Sequence, residues 1–575
     1  MSQQIHFEVF RRLGAKGGWT LHDVAISRET AIQMAQQLMA DEKATGVKVV
    51  KETYNEDTGD YLTLKIFEEG HNQVKLDVAA EDVPHALPCF KPDDLYSYHA
   101  RTTMARLLSD YLARQKLTVT ELIHRADALE KLEATGTVYQ HAIQKIAVAQ
   151  AASTNTPVHH IVKSLNDLST KAMQRVYRDE LRNYFPKVEA GKFAALAKKI
   201  AGEPDKSYLL NGAIARYLGP AKGWNDKMLR LLDILKEAQD DSNTSDVLLN
   251  AVDSIGAEIL NGSAALHELI GESENLGVAM FTLMDIFLGK TSAHSRSGIA
   301  AVTKQFAKDN LPEARTAVAN RILAELKSVK RLCPNSLVDE LKTLRAIANK
   351  LVLGQGKYLS HEDLIAAFTL RSRRLVTHEA IGEHLQESAT VDAKIERLLL
   401  VEENIIGAEN KRQLSSFILP IITSSPFEQH FIFAKTPVLG RLQKLAELQA
   451  RVRRSGFQDL QRSEICDALD KVAAEAETRA KFLDGIEGKP IGHVEKATGI
   501  LRLFVGGVFT EGRLSEKARA LILSHLGQPG FMTSYVAAHA KGPERPNPDA
   551  VMAELIGTLE KAGITAETGL KSIAA

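Results

Sequence analysis

The sequence predicts a mainly α protein, an irregular multi-helical bundle or a degenerate helical solenoid, preceded by a small α+β domain of order ββαββ. Three observations point there. Alternation of apolar and polar residues with a period of two is confined to the first 70 positions of the 575-residue chain. Beyond them, nearly every segment repeats its apolar residues at helical spacing. Polar, glycine- or proline-bearing stops such as GEPDKS, GPAKG, DDSNTSD and SSPFE then cut the chain into helices of ordinary length.

Residues 1–70 form the small domain. IHFEVFRRL (5–13) and WTLHDVAI (19–26) read as strands joined by the glycine-rich GAKGG. Ser27 is placed to cap a helix on which Ala31, Met34, Ala35 and Leu38 share one face. VKVVKETY (47–54), the turn NEDTG and YLTLKIF (61–67) make a second hairpin. One helix over one face of four strands closes a small core. Residues 71–95 read as a linker, because Pro84, Pro88 and Pro92 interrupt any regular element.

Two helical regions follow, 96–290 and 291–540. In ARLLSDYLARQKLTVTELIHRAD (105–127), two helices meet at a short turn, and Thr118 with Glu121 makes a capping box. Met228, Leu231, Leu232 and Leu235 form one stripe; Val438, Leu442, Leu445, Leu448 and Val452 form another. LGVAMFTLMDIFLG (276–289) is too short to span a bilayer and carries Asp285, so a buried core helix is expected. No fixed repeat period and no tetratricopeptide, ankyrin or leucine-rich signature emerges. Residues 541–575 comprise the proline-rich KGPERPNPD and a terminal amphipathic helix, DAVMAELIGTLEKAG, suited to docking on the body or on a partner.

Composition narrows the function. Lys plus Arg and Asp plus Glu both number 72, so no global field draws the chain to nucleic acid or anionic membrane. Aromatic residues make up only 6%, few for stacking platforms on single-stranded nucleic acid. Cys89, Cys333 and Cys466 lie far apart, which suits a reducing compartment. MSQQIHFEVF lacks a basic flank before an apolar run, so no signal peptide is expected and the location expected is cytoplasmic.

The motifs that resemble sites mostly resolve into helix ends. RSRRLV puts Arg371, Arg373 and Arg374 in the last turn of a helix opened by Ser360 and Asp363, with Leu364, Phe368 and Leu375 toward the core. KSVKRLCPN and ARVRRSGF, the latter with Arg451, Arg453 and Arg454, repeat the device. Cations there complement the helix dipole; an anion or acidic partner is the alternative occupant of both arginine groups. Thr377 caps the next helix, on which His378 and His384 diverge too far to share a metal. LGKTS and LGQGKY lack the first glycine of a phosphate-binding loop. DDSNTSDVLLNAV lacks the glycine and glutamate of a calcium loop, and Asp246 reads as an N-cap. LHELIG leaves His267 as a remote phosphoacceptor candidate. The helix VTELIHRADALEKLE is too acidic to read DNA.

The function expected is therefore a non-catalytic cytosolic scaffold or signalling adaptor acting through protein–protein contacts, with homo-oligomers allowed and no metal or cofactor. The edge strands and the terminal helix are its docking elements. The alternative is an enzyme or a sensor of a phosphorylated small ligand, its site assembled from distant residues such as the two arginine groups.

Overall fold

The computed structural model describes residues 5–13, 19–41, 43–55, 60–70, 87–154, 156–240, 244–290, 296–352, 354, 356–386, 388–539 and 547–565. The GAKGG turn, most of NEDTG, linker residues 71–86, Asp241–Asn243, Thr291–Ser295 and residues 541–546 of the second linker lie outside them. The chain forms two compact units: Met1–Thr103 with Gln140–Lys171, and Met104–Tyr139 with Ala172–Ala575.

The first unit carries the α+β domain. Strands β1 (Ile5–Arg12), β2 (Thr20–Ala25), β3 (Gly46–Asn55) and β4 (Asp60–Gly70) form an antiparallel sheet in the order β2-β1-β3-β4, so β2 and β4 are its edges. Helix α1 (Arg28–Ala40) starts as expected, with Ser27 Oγ accepting the Thr30 N–H at 3.2 Å. Val9 and Val49 lie opposite each other in register and are buried together with Phe7, Ala31, Ala35, Leu38 and Val47. Met34 packs at the margin. Pro92 opens a 3-10 turn, Pro92–Tyr96, within the segment expected to be irregular, and Asp94 accepts the N–H groups of Phe90 and Lys91. The unit also holds most of the helices Thr137–Thr154 and Val158–Leu181, the second starting just after Pro157.

The second unit is helical. Trp224–Asp240 packs on Ser245–Asn261, which packs on Pro312–Lys327, which packs on His361–Leu375. Beside them, Leu276–Phe287 packs on Leu337–Val352, followed in turn by Val391–Asn404, Val438–Arg454, Asp459–Ala480 and Arg513–Leu526. Leu276–Phe287 also packs on Pro312–Lys327, which joins the two series in one multi-helical array. One apolar cluster runs from Phe193 to Ile564. The expected stripes lie in it: Met228, Leu231, Leu232 and Leu235, then Leu442, Leu445, Leu448 and Val452, with Val438 partly buried. The helix Leu276–Phe287 is a buried core helix whose Asp285 pairs with Lys350 at 2.7 Å. The terminal helix Pro548–Lys561 docks on this body through Val551, Leu555 and Leu559. Among the described residues, no helix is long and apolar enough to cross a membrane.

Two local expectations shift. The helix expected to start behind Asp246 starts behind Thr244, leaving Asp246 in the first turn, where its charge faces the positive helix end. The helix that begins at Val119 breaks at Arg125, whose extended backbone (φ −123°) separates Val119–His124 from Ala126–Ala134. Arg125 is thereby free to reach Asp127 Oδ2 at 2.6 Å and Glu121 Oε1 at 3.5 Å.

Several helix ends are closed by neighbouring helices. Leu311, at the N-cap of Pro312–Lys327, adopts a left-handed φ of 59° and supplies no side-chain cap. Buried Asp253, from Ser245–Asn261, accepts the N–H groups of Glu313 and Ala314, both at 2.8 Å. Asp470 likewise accepts from Arg513 N–H at 2.6 Å and the Thr510 hydroxyl at 2.7 Å, and Glu237 accepts from Phe193 N–H at 2.7 Å. Carbonyls are served by arginines: Arg230 on Tyr217, Arg315 on Phe287, Arg441 on Ile432 and Arg519 on Ala562.

Burial pushes the Asp253 carboxyl up, and the two backbone N–H groups hold it back. Its native pKa stays above the ordinary aspartate value near 4, so the stability it contributes falls as pH rises through that interval. We expect D253A to lose about 1–3 kcal/mol in urea unfolding, because two buried N–H groups lose their acceptor. The stability of D253N relative to wild type is expected to improve steadily as pH is raised from about 4; a pH-independent difference would assign Asp253 an ordinary native pKa.

Candidate functional site

Arg371 is the most committed of the arginines singled out by the sequence. It is 3% exposed, and its guanidinium donates to the carbonyls of Glu325 (2.8 Å), Leu326 (2.9 Å) and Lys330 (3.0 Å) and to Glu340 Oε1 (3.1 Å). Arg374 donates to the Ser328 carbonyl. These carbonyls belong to the last turn of a different helix, Pro312–Lys327, and to the residues that follow it. The sequence suggested that the arginines serve their own helix end. In a helix the Cα–Cβ bonds tilt toward the N-terminus, which carries long side chains away from their own last carbonyls and toward a packed neighbour. Glu340 completes the arrangement by accepting the Cys333 N–H at 2.7 Å with its other oxygen.

The remaining arginines are dispersed. Arg373 is exposed, with its field acting on Glu409. Arg451 pairs with Glu403 at 3.0 Å, and Arg454 donates to the Ala450 carbonyl of its own helix at 3.2 Å. Burial pushes the Cys466 thiol up, and the nearby Arg453 pulls against it. The two arginine groups therefore answer to different partners. The cleft beside Arg371, about 270 Å³, is lined by Arg331, Arg371 and Arg374 but also by Glu340, Glu379 and Glu383, so its formal charges cancel.

The histidines also separate. His267 is exposed on the short helix Ser263–Ile270. Its neighbour Glu268 accepts the Trp224 N–H at 2.8 Å and pairs with Lys116 at 3.2 Å. Thr377 caps His378–Gln386, where His384 is buried against the Arg397 carbonyl and His378 is exposed at the edge of the Phe417 ring. A motif not anticipated links three helices: Glu487 Oε1 lies 2.7 Å from His525 Nε2, and His525 Nδ1 lies 2.9 Å from His493 Nδ1. Among the described residues, no group of three or more His, Cys, Asp or Glu is placed to hold a metal.

A further site was missed by the sequence. A cleft of about 300 Å³ is lined by Arg114, Lys116, Arg125, Lys131 and Lys227, with Asp127 as the acidic residue of its wall. Lys116 ends the helix Ser109–Gln115 in a left-handed conformation, φ 52°. Lys227 rises from Trp224–Asp240 and is buried; its Nζ lies 2.6 Å from Glu121 Oε1. Burial pulls the Lys227 ammonium below the usual lysine range, while Glu121 opposes the shift. Glu121 is held in turn by the N–H and hydroxyl of Thr118, at 3.0 and 3.1 Å, which is the capping box the sequence announced. Its partner Lys227 stands 106 positions further on, which no local pattern reveals. The arrangement can hold an anion at a preorganised basic wall.

For the arginines, R371A is expected to cost about 3–5 kcal/mol in chemical denaturation, since buried Glu340 loses its counter-charge. R373A should stay within about 0.5 kcal/mol of wild type, as surface substitutions do. Equal losses would mean that Arg371 is not the cap of the neighbouring helix. No known family model, curated protein or solved structure matches the chain.

Proposed function

We propose that the chain is a non-catalytic helical scaffold or signalling adaptor that works through protein–protein contacts. The observation that carries this reading is the use made of its ionic side chains. Asp253, Asp470, Glu237, Arg315 and Arg371 close the ends of neighbouring helices, so that these charges serve the fold. Edge strand β2 is the docking element, with Leu21 52% and Val24 46% exposed, so that an extended segment of a partner can add to it. A second copy of the chain is an allowed partner. The location proposed is the cytoplasm, a reducing compartment in which Cys89, Cys333 and Cys466 stay as free thiols.

In-cell cross-linking of the full chain followed by mass spectrometry tests the reading. A specific partner, or a second copy, is expected to cross-link near β2, and L21K/V24K should abolish that product while leaving the far-ultraviolet circular dichroism unchanged. Recovery of the chain only as an unlinked monomer would remove the scaffold reading. A second reading, a sensor of a phosphorylated small ligand, is favoured by the basic cleft around Lys227.

A further inference from the structure

We propose that the cleft lined by Arg114, Lys116, Arg125 and Lys131, over the buried Lys227–Glu121 pair, binds the phosphate group of a small phosphomonoester. The proposal rests on the second reading and is independent of the scaffold reading.

The charges of the cleft are unevenly matched. Lys227 has Glu121, at 2.6 Å. Arg125 has Asp127, bridged at 3.0 Å through Nε and 2.6 Å through Nη2. Lys116 has Glu268, at 3.2 Å. Arg114 donates through Nε to the Asp110 carbonyl of its own helix at 3.2 Å, and that carbonyl carries no countercharge. Among the described residues, neither Arg114 nor Lys131 has an ion-pair partner. The unmatched charge is that of a phosphate dianion. Elsewhere in this unit the comparable cleft, beside Arg371, has three guanidiniums against three carboxylates.

The floor of the cleft is fixed before a ligand arrives. Glu121 is fully buried and holds Lys227 in place while bonded to Thr118. The Arg125 side chain is only 19% exposed and lies against the backbone of Gly219, where a Cβ would come within 2.9 Å of Nη1. The rim is more open, with the Lys116 side chain 50% and the Asp127 side chain 53% exposed. A rigid guanidinium beneath two unpaired rim cations is the arrangement that recognises a compact, doubly charged oxyanion. The volume, about 300 Å³, suits a phosphate with a small organic group rather than a nucleic acid strand.

Thermal-shift titration and calorimetry of the full chain test the proposal, with glucose 6-phosphate and inorganic phosphate as probes and sodium chloride of equal ionic strength as the control. A saturable rise in melting temperature is expected with a phosphate probe and not with chloride. R114Q and K131Q should each weaken the dissociation constant at least tenfold. K342Q, a remote surface substitution, should leave it unchanged. G219A, which alters no charge but displaces Arg125, should also weaken binding, and its circular dichroism will separate this from unfolding. Glucose 6-phosphate binding more tightly than inorganic phosphate supports a phosphomonoester. Inorganic phosphate binding equally well narrows the ligand to the free anion and overturns the organic part of the proposal. No saturable shift up to about 10 mM, or a shift that survives R114Q/K131Q, would overturn it altogether.

Discussion

The structure depends on closing helix ends in the interior of a helical array. Every helix leaves four N–H groups and four carbonyls without partners in its own backbone. In an isolated helix water satisfies them, but in an array of short helices many ends abut a neighbour. Charged side chains from that neighbour take the place of water. Pro312–Lys327 has both ends treated in this way, by Asp253 from Ser245–Asn261 and Arg371 from His361–Leu375. One short helix is thus tied to two others at its termini as well as along its apolar face.

Such ties set register more than they add net stability. Moving a carboxylate or guanidinium out of water is costly, and the cost appears as the upward displacement of Asp253 and the downward displacement of Arg371, each driven first by burial. Charge-assisted bonds to backbone groups offset that cost only when the geometry is right. A sliding of Pro312–Lys327 by one residue would leave Asp253 facing the wrong N–H groups and Arg371 short of the Glu325 and Leu326 carbonyls. Apolar packing tolerates small slips better, because dispersion and burial are not directional. Ionic side chains therefore select one alignment among several that the core would accept.

This division explains what was legible in the sequence. Ser27, Ser360 with Asp363, Thr118 with Glu121, and Thr377 were readable because their partners stand three residues away. The stripes at Met228–Leu235 and Leu442–Val452 were readable because burial follows helical spacing. Asp253 and Arg371 were not readable in the same way, since their partners stand 60 and 61 residues downstream and about 45 residues upstream, respectively. The sequence did show that basic residues gather at helix ends, but not which helix they serve. The cleft at Lys227 was hidden for a related reason: Arg114, Lys116, Arg125 and Lys131 stand close together in the chain, but Lys227 joins them from 106 positions beyond Glu121.

Overall neutrality gives that cleft its significance. Equal numbers of acidic and basic residues suggest a chain in which charges are matched. Locally this holds for several buried charges, Glu340 with Arg371, Glu402 with Lys411 and Glu477 with Lys517, while Asp253 is answered by backbone N–H groups. Burial enforces the matching, because an unpaired charge in a low-dielectric interior is the costlier state. At the rim of a cleft the penalty is smaller, so an excess of like charge can persist there without unfolding the domain. Arg114 and Lys131 sit at such a rim, above a floor that is itself fully paired through Glu121, Thr118 and Arg125. A bound anion would relieve their repulsion, which would make the excess a source of affinity rather than a defect of folding.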